Sequence, residues 1–289
     1  KNFCLQYAIY VNEYLTTFCS VIRSNHKFGK NRCSLQWVYP FHKLFSISQR
    51  FGSMAYTINQ LFHTTMFLTY AFTMYSADHL NIPMVNSAFE KFDPKEFKYL
   101  TVWGVIIQAV FFLICMLNDW FGTNAACPKK PPFIRKLKDY VHAVFSFPVA
   151  MFVGVIFWSL MFVDRELVFP KAIDPYFPWW LNHLMHTMIM VSTLMETILS
   201  PRKYPKRAQG LFGHLMFMFT YLIWMHIIYL KSGIWVYPVM KVLSLPMRAA
   251  FLFVMLLFSS MLYFIGEMLD NFVWGNEYNK HQKFYAKSK

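Results

Sequence analysis

Long uncharged blocks, close to the roughly 20 residues that a membrane-spanning helix requires, dominate the hydrophobic pattern of this chain. Six blocks stand out, at 55–77, 99–117, 141–163, 177–195, 211–230 and 249–266. A seventh, at 3–22, is interrupted by Asn12 and Glu13 and is a doubtful span. The loops between the six are too short to fold alone. The pattern therefore predicts an all-α fold, an integral membrane bundle of six transmembrane helices.

Composition supports a membrane protein, because only 15% of the 289 residues are charged and the mean hydropathy is +0.32. Soluble domains carry about a quarter charged residues. The net charge of +14 lies in clusters beside the spans and does not indicate nucleic acid. The clusters follow the second span (Lys129, Lys130, Arg135, Lys136, Lys138), the fourth (Arg202, Lys203, Lys206, Arg207) and the sixth (Lys280, Lys283, Lys287, Lys289). The positive-inside rule places these clusters and both termini in the cytosol, facing anionic lipid headgroups.

The pattern also predicts three segments. Residues 1–53 form a basic and aromatic extension without periodicity, and Met54 stands just before the first clear span. We interpret this extension as peripheral or not native. Residues 54–275 form the six-helix domain, and residues 276–289 a basic cytosolic tail. The expected location is the endomembrane system, such as the endoplasmic reticulum, or the plasma membrane.

Two histidines one helical turn apart, His183 and His186, lie within an uncharged span. Ionisable groups inside a membrane usually face the bundle interior and mark a functional site. Counting 1.5 Å of rise per residue places His226 and Thr101 in the same outer layer of the membrane. Gln108 lies two turns from Thr101 on the same helix face and is most simply an interhelical hydrogen-bonding residue.

Other polar residues in the spans have ordinary interpretations. A threonine in a transmembrane helix most often packs or bonds to its own backbone, and this is the simplest interpretation of Thr101 by spacing alone. His142 and His214 fall near cytosolic helix ends, where we expect interfacial side chains. Pro148 is expected to kink the third span.

Three functions remain open from these residues. Thr101 with His183 or His186 could form a hydroxyl nucleophile and its base. His183, His186 and His226 could instead bind a metal that activates water. A non-enzymatic scaffold or small transporter is the third possibility. The five cysteines are scattered without a CxxC, and the chain has neither a GxSxG nor an HExxH motif.

Several short motifs between Met54 and Trp274 occur together in one order. They are KYLT at 98–101, FP at 147–148, DRELVFPK at 164–171, WLNHLMHT at 180–187, YP at 204–205, GIWVYP at 233–238, and GE at 266–267 with Asn271 and Trp274. In these motifs the chain resembles the androgen-induced and androgen-dependent TFPI-regulating membrane proteins. That family is regarded as six-pass hydrolases of fatty acid esters of hydroxy fatty acids.

The resemblance implies a lipid esterase without cofactor or metal, acting on a substrate that enters from the bilayer. It places the threonine nucleophile at Thr101 and the histidine base at His186. Beside this pair we expect His183, His226 and Gln108 in supporting positions. The substrate would carry a free carboxylate, for which Arg165 is a speculative anchor because a guanidinium binds a carboxylate bidentately. The sequence identifies no donor for the oxyanion.

Overall fold

The computed structural model describes residues 52–82, 92 and 94–287, with side chains omitted at 52–55 and 281–287. Within these residues the fold is all-helical and contains no strand. The doubtful span at 3–22 and nearly all of the predicted extension at 1–53 lie outside the described part.

The α-helices follow one another in an order close to the predicted spans. They are α1 (Gly52–Asp78), α2 (Leu100–Phe121), α3 (Phe133–Val141), α4 (Phe147–Asp164), α5 (Trp179–His183), α6 (Ile189–Leu199), α7 (Arg207–Ser232), α8 (Pro238–Val242) and α9 (Leu245–Lys287). Turns of π-helix at His142–Ser146 and Leu184–Met188 join α3 to α4 and α5 to α6. Short 3-10 turns lie at Lys95–Lys98, Arg165–Leu167 and Lys171–Ile173.

Four helical stretches of the described chain are long and apolar enough to cross a membrane: Leu100–Phe121, Phe133–Leu167, Arg207–Ser232 and Leu245–Lys280. Helix α1 and the α5–α6 segment were also predicted to span, but they carry more polar side chains. His63 and Thr73 on α1, and Asn182 and Glu196 on α5 and α6, are all fully buried. These two segments therefore turn polar groups inward, which lowers their overall hydrophobicity. The chain is a multi-pass membrane protein of helices.

Helix α4 lies at the centre of the bundle and packs against α2, α6 and α9. It begins at Phe147 and Pro148, directly after the π turn His142–Ser146. Proline has no N–H to donate to the preceding turn, so an irregular turn before it is the expected consequence of Pro148. Gly154, nearly two turns further, allows α4 to approach the segment that carries His186.

The chain beyond residue 276 continues as helix. Helix α9 runs without interruption from Leu245 to Lys287, so the segment predicted as a basic tail extends the last helix. Trp274, just before this extension, is buried and donates a hydrogen bond from its indole nitrogen to the carbonyl of Thr197, 3.0 Å away. This bond attaches the C-terminal half of α9 to the end of α6.

Candidate functional site

Thr101 and His186 lie in hydrogen-bond contact although 85 residues separate them in sequence. The Thr101 hydroxyl oxygen is 3.2 Å from Nε2 of His186. Thr101 is the second residue of α2 and is partly exposed, whereas His186 is buried in the π turn between α5 and α6. The pair therefore joins the beginning of one helix to an irregular turn of another.

A backbone contact at Nδ1 of His186 determines which of its two ring nitrogens carries the hydrogen. Nδ1 lies 3.0 Å from the carbonyl oxygen of Asn182, which can only accept a hydrogen bond. A neutral ring therefore carries its hydrogen on Nδ1, and Nε2 presents a lone pair to the Thr101 hydroxyl. His186 lies in the π turn Leu184–Met188, where the backbone departs from regular α-helical hydrogen bonding. Such turns are frequent at functional sites.

The His186 ring is held from its face and from its backbone. Phe157 of α4 stacks on it with ring centroids 3.6 Å apart and an interplanar angle of 15°. A Cβ atom placed on Gly154 would lie 2.6 Å from the His186 carbonyl oxygen and 2.6 Å from Cγ of Met190. Only glycine fits this position without displacement, so the backbone of α4 directly supports the turn that carries His186.

Thr101 opens into a cavity of about 110 Å³ between α2, α4, α7, α8 and α9. The lining is apolar, with Phe157, Met225, Met240 and Phe251 among its residues. Its polar side chains are Thr101, Tyr221 and Tyr237. The cavity therefore combines a hydroxyl with an accepting nitrogen behind it and an apolar wall, which suits an uncharged carbonyl group on a hydrocarbon chain.

Tyr221 and Tyr237 meet at the beginning of α2. The Leu100 amide lies 3.0 Å from both phenol oxygens, which are themselves 2.9 Å apart. The Tyr221 hydroxyl also lies 3.0 Å from the Lys98 carbonyl oxygen. Burial raises the pKa of the Tyr237 phenol, although hydrogen bonds to Tyr221 and the Leu100 amide oppose the shift. Tyr237 is therefore a neutral donor at physiological pH.

A left-handed residue brings Tyr237 to this position. Helix α7 ends at Gly233, whose φ of 75° is strained for any residue with a side chain. The chain turns back there and returns Tyr237 to Tyr221, which lies 16 residues earlier on α7. The sequence motif at 233–238 thus has a structural role, and Tyr237 lines the cavity.

His183 and Gln108 lie near the site without contacting the Thr101–His186 pair. His183 Nδ1 is 3.1 Å from the hydroxyl of Thr187, and its ring stacks on Trp158 at 5.2 Å. Gln108 is fully buried, donates to the Ser146 carbonyl and accepts from the Ser146 hydroxyl, both at 2.9 Å. The predicted interhelical hydrogen bond of Gln108 is confirmed, and its contact is with the turn before α4.

His226, predicted in the same membrane layer as His183 and His186, does not form a metal-binding cluster with them within the described residues. It lies on an exposed face of α7, bonds to the Leu222 carbonyl at 2.8 Å and meets the Trp235 ring edge-on. Depth along a helix does not show on which face of α7 a side chain lies. A site built on His183, His186 and His226 is therefore not assembled in the described structure.

Arg165 is engaged by its own loop. Its guanidinium pairs with Asp174, donates to the Phe169 carbonyl at 3.2 Å and lies over the Phe169 ring. The carboxylate partner of Arg165 is Asp174 and not its sequence neighbours Asp164 and Glu166. These contacts compete with the predicted role of Arg165 as an anchor for a substrate carboxylate.

A second polar cluster lies near the opposite ends of these helices. His63 of α1 bridges two carboxylates, with Nδ1 2.6 Å from Asp119 and Nε2 2.8 Å from Glu196. The other oxygen of Glu196 lies 3.4 Å from the Lys138 ammonium and 3.8 Å from the Arg202 guanidinium. All of these side chains are buried, so the cluster is an ion-pair network that joins α1, α2, α3 and α6.

Cys115 lies beside this network. Within the described residues, one group of three metal-ligating side chains (His, Cys, Asp or Glu) has its ligand atoms within 4.8 Å of one another. It consists of His63, Cys115 and Glu196. The geometry does not favour a cation there. Both nitrogens of His63 are already bonded to carboxylates, and two cationic side chains already neutralise Glu196.

Several side chains expected at the membrane surface are in fact buried. Arg135, Lys138 and Arg202 are only 1–2% exposed, because they pair with buried carboxylates, and so cannot meet lipid headgroups. His142 and His214 were expected to be interfacial, and both are also buried. Positions near a helix end do not reveal which side chains a neighbouring loop or helix will cover.

Most of the chain, including this site, matches a known protein family. Residues 58–271 match the FAR-17a/AIG1-like protein family. The chain belongs to this family. The match includes every residue of the Thr101–His186 site and of the cavity.

Curated relatives show the same relation. The chain is 36% identical over 228 residues to the androgen-dependent TFPI-regulating protein of Rattus norvegicus, covering 77% of this chain and 96% of the relative. It is 34% identical over 186 residues to the androgen-induced gene 1 protein of Homo sapiens, covering 62% and 78%. A UPF0641 membrane protein of Schizosaccharomyces pombe is 22% identical over 174 residues. No solved structure matches the chain.

Proposed function

We propose that this protein is a membrane-embedded esterase that hydrolyses fatty acid esters of hydroxy fatty acids with Thr101 as nucleophile and His186 as general base. The observation that carries the proposal is the 3.2 Å contact between the Thr101 hydroxyl and His186 Nε2, with Nδ1 bonded to a carbonyl. The substrate class comes from the family resemblance and agrees with the apolar wall of the cavity.

The reaction proceeds in two halves. His186 Nε2 takes the proton of Thr101 as its oxygen attacks the ester carbonyl carbon. The tetrahedral intermediate collapses, the bond to the hydroxy fatty acid breaks, and His186 returns the proton to the departing alkoxide. Water, deprotonated by His186, then attacks the acyl-threonine, and collapse releases the fatty acid and regenerates Thr101. The carbonyl of Asn182 keeps the ring orientation fixed throughout.

The proposal includes the arrangement in the membrane. Six spans would cross it, formed by α1, α2, α3–α4, α5–α6, α7 and α9, with both termini cytosolic and Thr101 toward the opposite face. The exposed basic residues at the His63 end, Lys129, Lys130, Lys136, Lys203, Lys206 and Arg207, would face anionic headgroups. The site would receive lipid from the bilayer of an endomembrane or the plasma membrane.

Two rival functions have less support. A hydrolase with a metal on His183, His186 and His226 needs three rings at one point, whereas His226 is exposed and does not line the cavity. A scaffold or transporter does not require the ordered contacts of His186. Burying a polar ring in an apolar environment costs free energy, and neither of these functions gives a reason for that cost. The Thr101–His186 contact therefore favours the esterase.

The test uses purified protein in detergent with a fluorophosphonate probe and a fatty acid ester of a hydroxy fatty acid. Thr101→Ala and His186→Ala are expected to lower hydrolysis by at least about 10²-fold, as expected for removing a nucleophile or its base. Thr101→Ala should also abolish labelling. Thr69→Ala is a matched control, since Thr69 is only partly buried on α1 and its hydroxyl bonds to the Thr65 carbonyl.

The same assay separates the rivals. His226→Ala and a chelator are expected to leave hydrolysis unchanged, whereas a metal site on the three histidines requires that both abolish it. Absence of hydrolysis by well-folded wild type, or equal hydrolysis by Thr101→Ala, would refute the proposed function and return the metal and scaffold alternatives to consideration.

A further inference from the structure

An ester hydrolase needs a donor for the negative charge that develops on the carbonyl oxygen, and the pair of tyrosines beside Thr101 provides candidates. Removing one such donor typically costs about 10²–10³-fold in rate. Tyr221 and Tyr237 are the polar side chains that line the Thr101 cavity besides Thr101 itself. The Leu100 amide lies 3.0 Å from each phenol oxygen, and Leu100 immediately precedes Thr101.

Hydrogen-bond accounting distinguishes the two phenols, since each has a single hydrogen to donate. Tyr221 has the Lys98 carbonyl 3.0 Å away and the Tyr237 oxygen 2.9 Å away. In both contacts Tyr221 is the donor, so its single hydrogen is used within the protein. Tyr237 accepts from Tyr221 and from the Leu100 amide, and within the described residues no hydrogen bond has the Tyr237 hydroxyl as its donor. The hydrogen of Tyr237 is therefore the one that can turn toward a substrate oxygen.

We propose that the Tyr237 hydroxyl donates a hydrogen bond to the carbonyl oxygen of the substrate ester as the tetrahedral intermediate forms. This inference rests on the proposed function and adds the oxyanion donor that the sequence did not identify. Tyr221 acts as a positioning residue, because it holds the Tyr237 oxygen and the beginning of α2 in one arrangement. The positive end of the α2 dipole favours negative charge at the same place.

Two features suit Tyr237 to this role. Its phenol remains protonated, since burial raises its pKa, and so it keeps the hydrogen that it must donate. Its oxygen is held by the Leu100 amide and by Tyr221, so little reorganisation is needed during the reaction. The rival donor is the side-chain amide of Asn182, which is fully buried and lacks a hydrogen-bond partner among the described residues. Asn182 does not line the cavity.

The experiment compares hydrolysis of an oxygen ester with that of its thionoester, in which sulfur replaces the carbonyl oxygen and accepts hydrogen bonds poorly. Tyr237→Phe is expected to lower kcat for the oxygen ester by about 10²–10³-fold with little change in KM. It should lower kcat for the thionoester far less, so the ratio of the two rates falls. Tyr229→Phe is the matched control, because Tyr229 lies on α7 stacked against Trp235 and does not line the cavity.

Each outcome has a defined meaning. Equal loss for both substrates would show that Tyr237→Phe only displaces Thr101, and would overturn the inference. A normal ratio in Tyr237→Phe with a reduced ratio in Asn182→Ala would overturn it in favour of the amide. If Tyr237→Phe hydrolyses normally while Thr101→Ala is inactive, the donor assignment fails alone. Normal hydrolysis by Thr101→Ala would instead refute the proposed function itself.

Discussion

Substitution of Gly154 by alanine tests whether the close packing of α4 sets the position of His186. The added Cβ would lie 2.6 Å from the His186 carbonyl oxygen and from Cγ of Met190, whereas ordinary contacts begin at 3.4 Å. Helix α4 and the π turn must therefore separate by about 0.8 Å. A misplacement of about 1 Å at a catalytic group can cost about 10²-fold in rate, and we expect a loss of that order in kcat/KM.

The stability change should be small beside the loss of activity. Overpacking a core costs about 1–3 kcal/mol, and the better helix propensity of alanine returns about 1 kcal/mol. Gly104→Ala is the matched control one turn beyond Thr101, since its Cβ would meet Val153 at 3.6 Å and Val149 at 3.8 Å, both ordinary contacts. It should retain full activity and gain stability. Wild-type ester hydrolysis by well-folded Gly154→Ala, measured beside Gly104→Ala, would refute the reasoning.

Two further predictions concern charged residues outside the Thr101–His186 pair. Glu196→Gln removes a buried carboxylate 2.8 Å from His63 and should lower the free energy of unfolding by about 3–5 kcal/mol, measured by denaturation in detergent. Glu267→Gln breaks a surface pair and should cost less than about 1 kcal/mol, so equal losses would contradict a structural role for the buried network. Arg165→Ala should leave the KM for an ester bearing a free carboxylate unchanged, because Asp174 already pairs with the guanidinium; a large rise in KM would restore Arg165 as the substrate anchor.

The sequence predicted correctly those properties that depend on the residues of a single helix. Uncharged blocks predicted the helices, and the buried Gln108 was correctly interpreted as an interhelical hydrogen bond. Depth along the helices placed Thr101 and His186 in one layer, within the error of the span boundaries. Depth does not show which face of a helix a side chain occupies, and His226, predicted in the same layer, lies on an exposed face of α7.

Burial near helix ends was the second limit. Arg135, Lys138 and Arg202 look like surface cations in sequence, since positively charged residues beside a span usually meet lipid. Lys138 pairs with Glu196 of α6 and Arg202 with Asp270 of α9, so these buried partners come from other helices. Whether such a group is solvated or paired depends on what other helices bring to it.

By itself, the sequence determined an all-helical membrane protein, its approximate spans and, through its motifs, its family and the two residues of the candidate pair. The tertiary structure decided which nitrogen of His186 faces Thr101, because Asn182 and the π turn fix the ring. It also placed Tyr237 in the cavity. The physical reason is that hydrophobic periodicity encodes only how one helix meets its surroundings. Contacts between residues far apart in sequence depend on the packing of several helices at once.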